Sequence, residues 1–245
     1  MKTVMITGAT SGIGKETARL FLEEGFRVLA VGRSPDKLQN LEKEFSAYED
    51  RLLLKRCEVS KLDEIHALFK DLEPVDILIN NAGIYSQNSW FDTGVEDYNQ
   101  MFEVNTRSVF FLSQQAALNL RRHKRRGLVL NNASTLAQKP APQTSLYSAS
   151  KAAVLSLTQS LALDLGPELR AICVLPGIVD TPIHHKGAGV EAALKFQQEI
   201  ATLHPLKRIG KAEEIAALFL FLSQPSMDWM TGSCITLDGG ISLVT

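Results

Sequence analysis

Tyr147 and Lys151 stand one helical turn apart in the run Tyr147-Ser148-Ala149-Ser150-Lys151, and Ser134 ends a strand-like segment upstream. A phenol is a poor acid or base at neutral pH, with a reference pKa near ~10. An ammonium four residues along lies on the same helix face and favours the phenolate. At an effective dielectric of ~20 and ~4 Å that attraction is about 4 kcal/mol, and a shift of about three pKa units takes about 4 kcal/mol. One well-placed lysine is therefore expected to bring the tyrosine into the working range of a general acid/base. Tyr-x-x-x-Lys alone also occurs in helices as a solvated pair, so its weight depends on what else the chain carries.

A second pattern stands at the start of the chain. The β-branched, apolar run at residues 3–7 leads directly into Gly8-Ala9-Thr10-Ser11-Gly12-Ile13-Gly14, and a helical pattern follows over residues 15–24. Strand, glycine-rich turn and helix in that order make an anion site: the glycines let a pyrophosphate approach the backbone, and the helix start offers free N–H groups. The end of the second strand bears on cofactor choice. A carboxylate there holds the ribose 2′-OH of NAD and repels a 2′-phosphate. Here Gly32 occupies that position and Arg33-Ser34 follow. Arginine suits bidentate phosphate binding, so NADP(H) is favoured over NAD(H).

Thr7-Gly8-x-x-x-Gly12-Ile13-Gly14, Asn80-Asn81-Ala82-Gly83, Asn105, Ser134, Tyr147-x-x-x-Lys151 and Pro176-Gly177 stand in the order and spacing of the short-chain dehydrogenases/reductases. The segment from Leu206-Lys207-Arg208-Ile209-Gly210 to Asp238-Gly239-Gly240 is similar to theirs as well. The chain resembles that family over essentially its whole length, with most likeness to 3-oxoacyl carrier-protein reductases.

The resemblance implies a role for each motif. Tyr147 protonates a carbonyl oxygen or deprotonates an alcohol. Lys151 lowers the phenol's pKa and bonds the nicotinamide ribose. Ser134 orients the substrate oxygen. Asn105 marks a helix kink whose freed carbonyl holds a water in a proton relay. Gly8, Thr10, Ser11, Gly12, Ile13 and Gly14 meet the pyrophosphate, and Arg33 and Ser34 the adenosine ribose. Glu58, standing where the family has an aspartate, and Val59 meet the adenine. Asn81, Ala82, Gly83, Pro176, Gly177, Val179 and Thr181 complete the cofactor set. Tyr85, Leu136, Gln138, Pro142 and His184 are substrate candidates. The family often carries a second serine where this chain has Ala133, and many NADP-preferring relatives carry a basic residue where it has Ser11.

Those residues need a scaffold that brings distant segments together. Strand-like runs at 3–7, 27–31, 52–59, 76–80, 127–132, 171–175 and 234–237 alternate with amphipathic helical stretches, among them 97–120 and 147–165. Most of these strands are apolar without strict alternation, as parallel strands covered on both faces are. The expected fold is α/β: a Rossmann-type, doubly wound parallel sheet of about seven strands with helices on both faces. No low-complexity linker or repeat interrupts residues 1–245, so one domain is expected, with a substrate lid over about 180–204.

Bulk properties narrow the function. The chain has 245 residues, 45% hydrophobic and 22% charged, with formal net charge −1. That balance gives no electrostatic case for nucleic acid or a membrane surface. No apolar stretch is long enough to span a bilayer, no secretory signal is read at the start, and a cytoplasmic location is expected. Cys57, Cys173 and Cys234 are dispersed and read as small core residues, and no side-chain cluster has metal-ligand spacing. The basic run Arg121-Arg122-His123-Lys124-Arg125-Arg126 reads as a solvated helix end, with docking of an acyl carrier protein or coenzyme A phosphates as the sharper alternative.

Surplus apolar residues, namely Leu155, Leu157, Leu161, Leu163 and Leu165 with Val109, Phe110, Phe111 and Leu112, point to self-association. With the apolar 235–244 segment they predict a homotetramer. The expectation is an NADP(H)-dependent oxidoreductase acting on a small-molecule or acyl-thioester carbonyl, with 3-oxoacyl thioesters slightly ahead. Sugar or polyol and steroid-like substrates stay open, as does a catalytically idle, cofactor-binding scaffold.

Overall fold

The computed structural model describes residues 1–182 and 199–244. Seven parallel strands form one sheet: β1 (Thr3–Thr7), β2 (Arg27–Gly32), β3 (Leu52–Arg56), β4 (Ile77–Asn80), β5 (Gly127–Asn132), β6 (Leu169–Pro176) and β7 (Cys234–Leu237). Their order is β3-β2-β1-β4-β5-β6-β7. The chain winds outward from β1 in one direction and from β4 in the other, so the order reverses between these two strands. In such sheets the crevice at the carboxyl ends of the reversal strands is the ligand site.

Successive strand residues point to opposite faces, and here both faces are buried. Val4, Ile6, Val28, Ala30, Ile77 and Ile79 pack under α1 (Gly12–Glu23) and α2 (Pro35–Glu44) on one side. Met5, Leu29, Val31, Leu78 and Val129 pack under α3 (Leu62–Leu68) on the other. The helices α4 (Val95–Phe102), α5 (Ser108–Arg122) and α6 (Ser145–Leu165) follow, then α7 (Ala212–Leu222) and the short α8 (Ile241–Val244). Burial on both faces explains why these strands read as continuous apolar runs.

Several element ends shift by one to three residues from expectation, β6 spanning 169–176 rather than 171–175, and two differences bear on the site. The third strand ends at Arg56, three residues early: Cys57 N still donates to Gly32 O of β2 at 3.0 Å, and beyond it the Glu58 N–H, facing away from β2, donates to Glu64 Oε2 at 2.8 Å. The expected long helix 97–120 is divided: a π-helical turn, Glu103–Arg107, separates α4 from α5.

Candidate active site

A cavity of about 870 Å³ opens at the carboxyl ends of the strands, and almost every residue singled out from the sequence lines it. Gly8 and Gly12 adopt φ of +66° and +52°, left-handed values that favour glycine. A Cβ on Gly14 would lie 2.3 Å from the Gly8 carbonyl oxygen, so Gly14 acts behind the wall, letting α1 close onto the turn. Ser11 caps α1 without a side-chain hydrogen bond, which leaves the first helical N–H groups for another acceptor. Gly12 faces the Thr181 side chain, whose Cβ stands 3.2 Å from where a Gly12 Cβ would be. The glycine turn and the segment after β6 thus come together, with Pro176, Gly177 and Val179 on the same wall.

A hydrogen-bond chain ties this turn to the acid/base residues. The Thr7 hydroxyl accepts from the Asn81 and Ala82 N–H groups, each at 3.0 Å. Asn81 Nδ2 donates to Thr7 O at 3.0 Å, and Asn81 Oδ1 accepts from Asn132 Nδ2 at 2.9 Å. The Asn132 carbonyl then accepts from Lys151 Nζ at 2.8 Å. Asn105, fully buried in the π-turn, holds the Ile84 backbone from both sides at 2.9 Å and does not line the cavity. It fixes the stretch beside Gly83, where a Cβ would sit 3.6 Å from Lys151 Nζ.

Ser134 caps a 3-10 turn, Thr135–Ala137, accepting from Leu136 N at 3.2 Å. Its hydroxyl lies near enough to the Tyr147 phenol to oppose the rise of the phenol's pKa. Tyr85 packs edge-on against Tyr147, with ring centroids 5.0 Å apart. Ser134, Tyr147 and Lys151 therefore converge on one end of the cavity.

Burial dominates the electrostatics of both groups. Burial pushes the Tyr147 phenol up to about 12; the nearby Ser134 hydroxyl works against that rise and Tyr85 adds to it. The Lys151 ammonium lies over the Tyr147 ring, 5.8 Å from its centroid, and donates to Asn132 O at 2.8 Å. Burial lowers Lys151 itself to about 8. Desolvation therefore outweighs the single-pair attraction.

At the far end of the cavity, Arg33, Ser34, Glu58 and Val59 line the wall with Lys37. Sequence reasoning missed Lys37, in the first turn of α2 behind the capping Ser34 hydroxyl (Lys37 N to Ser34 Oγ, 3.4 Å). Its signal was the run Arg33-Ser34-Pro35-Asp36-Lys37, which returns a lysine to the same end. Gly32 proves to be a packing position: a Cβ there would meet Thr10 Cγ2 at 2.7 Å and Leu38 at 3.3 Å. Arg33 Nη1 stands 3.4 Å from Glu58 Oε2.

Among the substrate candidates, Tyr85, Leu136, Gln138 and Pro142 line the catalytic end, together with Ile200, Leu203 and Ile241. His184 and most of the expected lid, 180–204, lie outside the described residues. The basic run falls at the opposite end of the sheet, between α5 and the start of β5. There Arg121 pairs with Glu168 at 3.1 Å and Arg125 with Asp76 at 2.8 Å. An acidic carrier docked there would not deliver its thioester to this chain's own cavity.

Comparison with known proteins agrees with this geometry. A family profile described as Enoyl-(Acyl carrier protein) reductase matches residues 8–242. The 3-oxoacyl-[acyl-carrier-protein] reductase of Thermotoga maritima is 32% identical, over 98% of this chain and 97% of its own. The structure superposes on an actinorhodin polyketide ketoreductase variant solved with NADPH, at TM-score 0.91 and 28% identity, covering 98% and 97% of the two chains. The L-sorbose reductase of Gluconobacter frateurii, solved with NADPH and L-sorbose, gives TM-score 0.91 at 27% identity over 98% and 96%. The chain belongs to the short-chain dehydrogenase/reductase family. It is an oxidoreductase of the kind that interconverts alcohol and carbonyl groups with a nicotinamide cofactor.

Proposed function

We propose that residues 1–245 form one cytoplasmic enzyme domain that reduces a ketone with NADPH, with 3-oxoacyl thioesters ahead of polyols as substrates. The observation that carries this reading is the convergence of Ser134, Tyr147 and Lys151 on the cavity that the glycine turn enters. The dinucleotide supplies or accepts the hydride. It fits a wall of close-packed glycines and an uncapped helix start, with Gly8, Thr10, Ser11, Gly12 and Ile13 at the pyrophosphate and Asn81, Ala82, Gly83, Pro176, Gly177, Val179 and Thr181 along its length. Arg33, Ser34 and Lys37 meet the 2′-phosphate. Gly32 supports NADP(H) twice: it carries no repelling charge, and Thr10 fills the space an acid would need.

In this reading Ser134 and Tyr147 donate to the substrate oxygen, and Tyr147 delivers the proton. With its pKa raised, the phenol is protonated at neutral pH, the form a reduction requires. Lys151, anchored on Asn132, faces the cofactor ribose, and the π-turn at Asn105 offers a backbone carbonyl to a relay water. The apolar lining of the substrate end, from Leu136, Pro142, Leu203 and Ile241, suits an acyl chain. A polyol needs several paired hydroxyl partners, because unpaired buried polar groups are costly.

Self-association as a homotetramer belongs to the same proposal. Phe110 and Leu118 on α5 and Leu163 on α6 are exposed beside a groove of about 260 Å³. Trp229, Leu243 and Val244 are exposed near the carboxyl end. Val109 and Leu112, however, are buried within the chain and do not add to the surplus. Light scattering near the 27.0 kDa chain mass would overturn the tetramer.

The deciding assay follows NADPH absorbance across acyl thioesters, ketoses and bulky cyclic ketones. The acyl thioesters are expected to exceed the ketoses at least tenfold in kcat/KM. Turnover of none would overturn the enzyme reading and leave the scaffold; ketose preference would overturn the substrate class.

A further inference from the structure

Cys173 and Cys234 come from distant parts of the sequence and meet in the sheet as directly registered partners of β6 and β7. In-register residues of neighbouring strands project to the same face. Both pack in the small apolar cluster with Val109, Ala133 and Val154, under α6. The two side chains lie close enough for each sulfur to set the titration of the other, with the Thr158 hydroxyl near Cys173.

Adjacent strands lie ~4.7–4.9 Å apart, inside the ~4.4–6.8 Å that a disulfide accepts between α-carbons. β7 is the edge strand, four residues long, and Cys234 is its first residue. Its start can adjust without breaking a ladder on a far side.

The two sulfurs are unequal. Cys173 is buried, whereas Cys234 is partly exposed. The neighbouring Cys173 holds Cys234 down to about 7, while Cys234 and burial push Cys173 up. Cys57 is buried in another region, and burial with the nearby carboxylates of Glu64 and Glu58 pushes it up to about 12. The chain therefore carries one accessible sulfur with thiolate character, a second in contact with it, and a third that is inert by comparison.

We propose that Cys234 and Cys173 form a dithiol modification site that hydroperoxides oxidise reversibly, Cys234 as the attacking sulfur and Cys173 as the resolving one. The Cys234 thiolate attacks the peroxide, breaking its O–O bond to give a sulfenic acid and releasing hydroxide or alkoxide, which takes up a proton. Cys173 sulfur then attacks the sulfenic sulfur, the S–O bond breaks, and the Cys173 proton leaves with the oxygen as water. Two thiols and one peroxide become one disulfide, one water and one water or alcohol. The role is independent of the reductase reading, because neither sulfur touches the substrate end of the cavity.

The test uses the whole chain, intact mass spectrometry and peptide mapping. With hydrogen peroxide, the mass is expected to fall by two hydrogens per chain and to recover with dithiothreitol. Mapping should join the Cys173 and Cys234 peptides within one chain and leave Cys57 free for alkylation after denaturation. Cys173→Ser should lose the link and instead trap dimedone at Cys234; Cys234→Ser should do neither. An unchanged mass, a link through Cys57, or a link only between chains would overturn the proposal. The wild-type map decides even where a variant fails to fold.

Discussion

The two ends of the cavity are built on opposite principles. At the catalytic end the polar groups are sunk into the protein: Ser134 and Lys151 are buried, Asn132 Nδ2 donates to Asn81 and Lys151 Nζ to the Asn132 carbonyl. Burial there governs the chemistry, raising the phenol and lowering the ammonium. At the end lined by Arg33 and Glu58, Arg33 keeps 60% of its side chain exposed and its pairing with Glu58 is long, at 3.4 Å. Charges in water interact weakly, whereas buried ones have large energies and little freedom. The catalytic end should therefore respond to substitution steeply, and the Arg33 end gently.

The largest expected effect tests the buried end. Tyr147→Phe removes one oxygen, and the ring keeps its edge-on contact with Tyr85. Steady-state turnover should fall by ~10²–10⁴, the range of a positioned proton donor, while fluorescence titration shows cofactor affinity unchanged. A near-normal rate would place the proton transfer elsewhere.

Lys151 sharpens the comparison through stability. Its pKa is lowered from 10.5 to about 8 by burial. Between those values the folded state binds fewer protons than the unfolded chain, so stability rises with pH across the window; below about 8 the full cost of the buried cation remains. That cost is about 3 kcal/mol at ~1.36 kcal/mol per unit. Lys151→Met removes it, along with the bond to Asn132. The stability of the natural chain relative to this variant should therefore climb by up to about 3 kcal/mol from pH 8 to 10.5, read by urea unfolding without cofactor. Tyr147 titrates in both proteins and cancels. A constant difference would mean that the lysine is hydrated.

The two ends also differ in how far the sequence reveals them. The strands 3–7, 127–132 and 234–237 are those of the fold, because apolar runs between turn residues carry their own boundaries. The spacing of Ser134, Tyr147 and Lys151 shows which groups belong together. It does not show that Lys151 ends on a backbone carbonyl, since that depends on depth below the surface. Spacing points to a lysine acting on the phenol, while the burial that raises the phenol and lowers the lysine is set by that depth. At the outer end Arg33 was legible as a charge after a strand. The packing of Thr10 into the space above Gly32 was not, because that contact joins two loops through the fold. The basic run was legible as charge, while its place at the far end of the sheet is set by strand order alone.

A smaller effect is expected at the outer end. Arg33→Ala should cost NADPH at least tenfold in dissociation constant, ~1.4 kcal/mol, and leave NADH nearly unchanged. Equal losses for both cofactors would show that Arg33 supports the wall without reading the phosphate. Lys37 remains in that variant and should keep a residual preference for NADPH.

The smallest effect concerns Glu58, which a 2′-phosphate must rival for Arg33. Its carboxylate lies 3.4 Å from the guanidinium, with Arg33 mostly in solvent, so the pair is worth ~0–1 kcal/mol. Glu58→Gln keeps the length of the side chain and an oxygen able to accept from Ser60 N, now at 3.4 Å from Oε1. It removes one negative charge beside the phosphate and frees the arginine. NADPH should bind up to about fivefold tighter, the most that ~1 kcal/mol provides, and the gain should shrink as salt is raised. NADH, which has no 2′-phosphate, should not gain. Weaker binding of both cofactors in Glu58→Gln would mean that the carboxylate serves the adenine more than it restrains Arg33. Calorimetric titration of the two cofactors at low and high salt separates these outcomes.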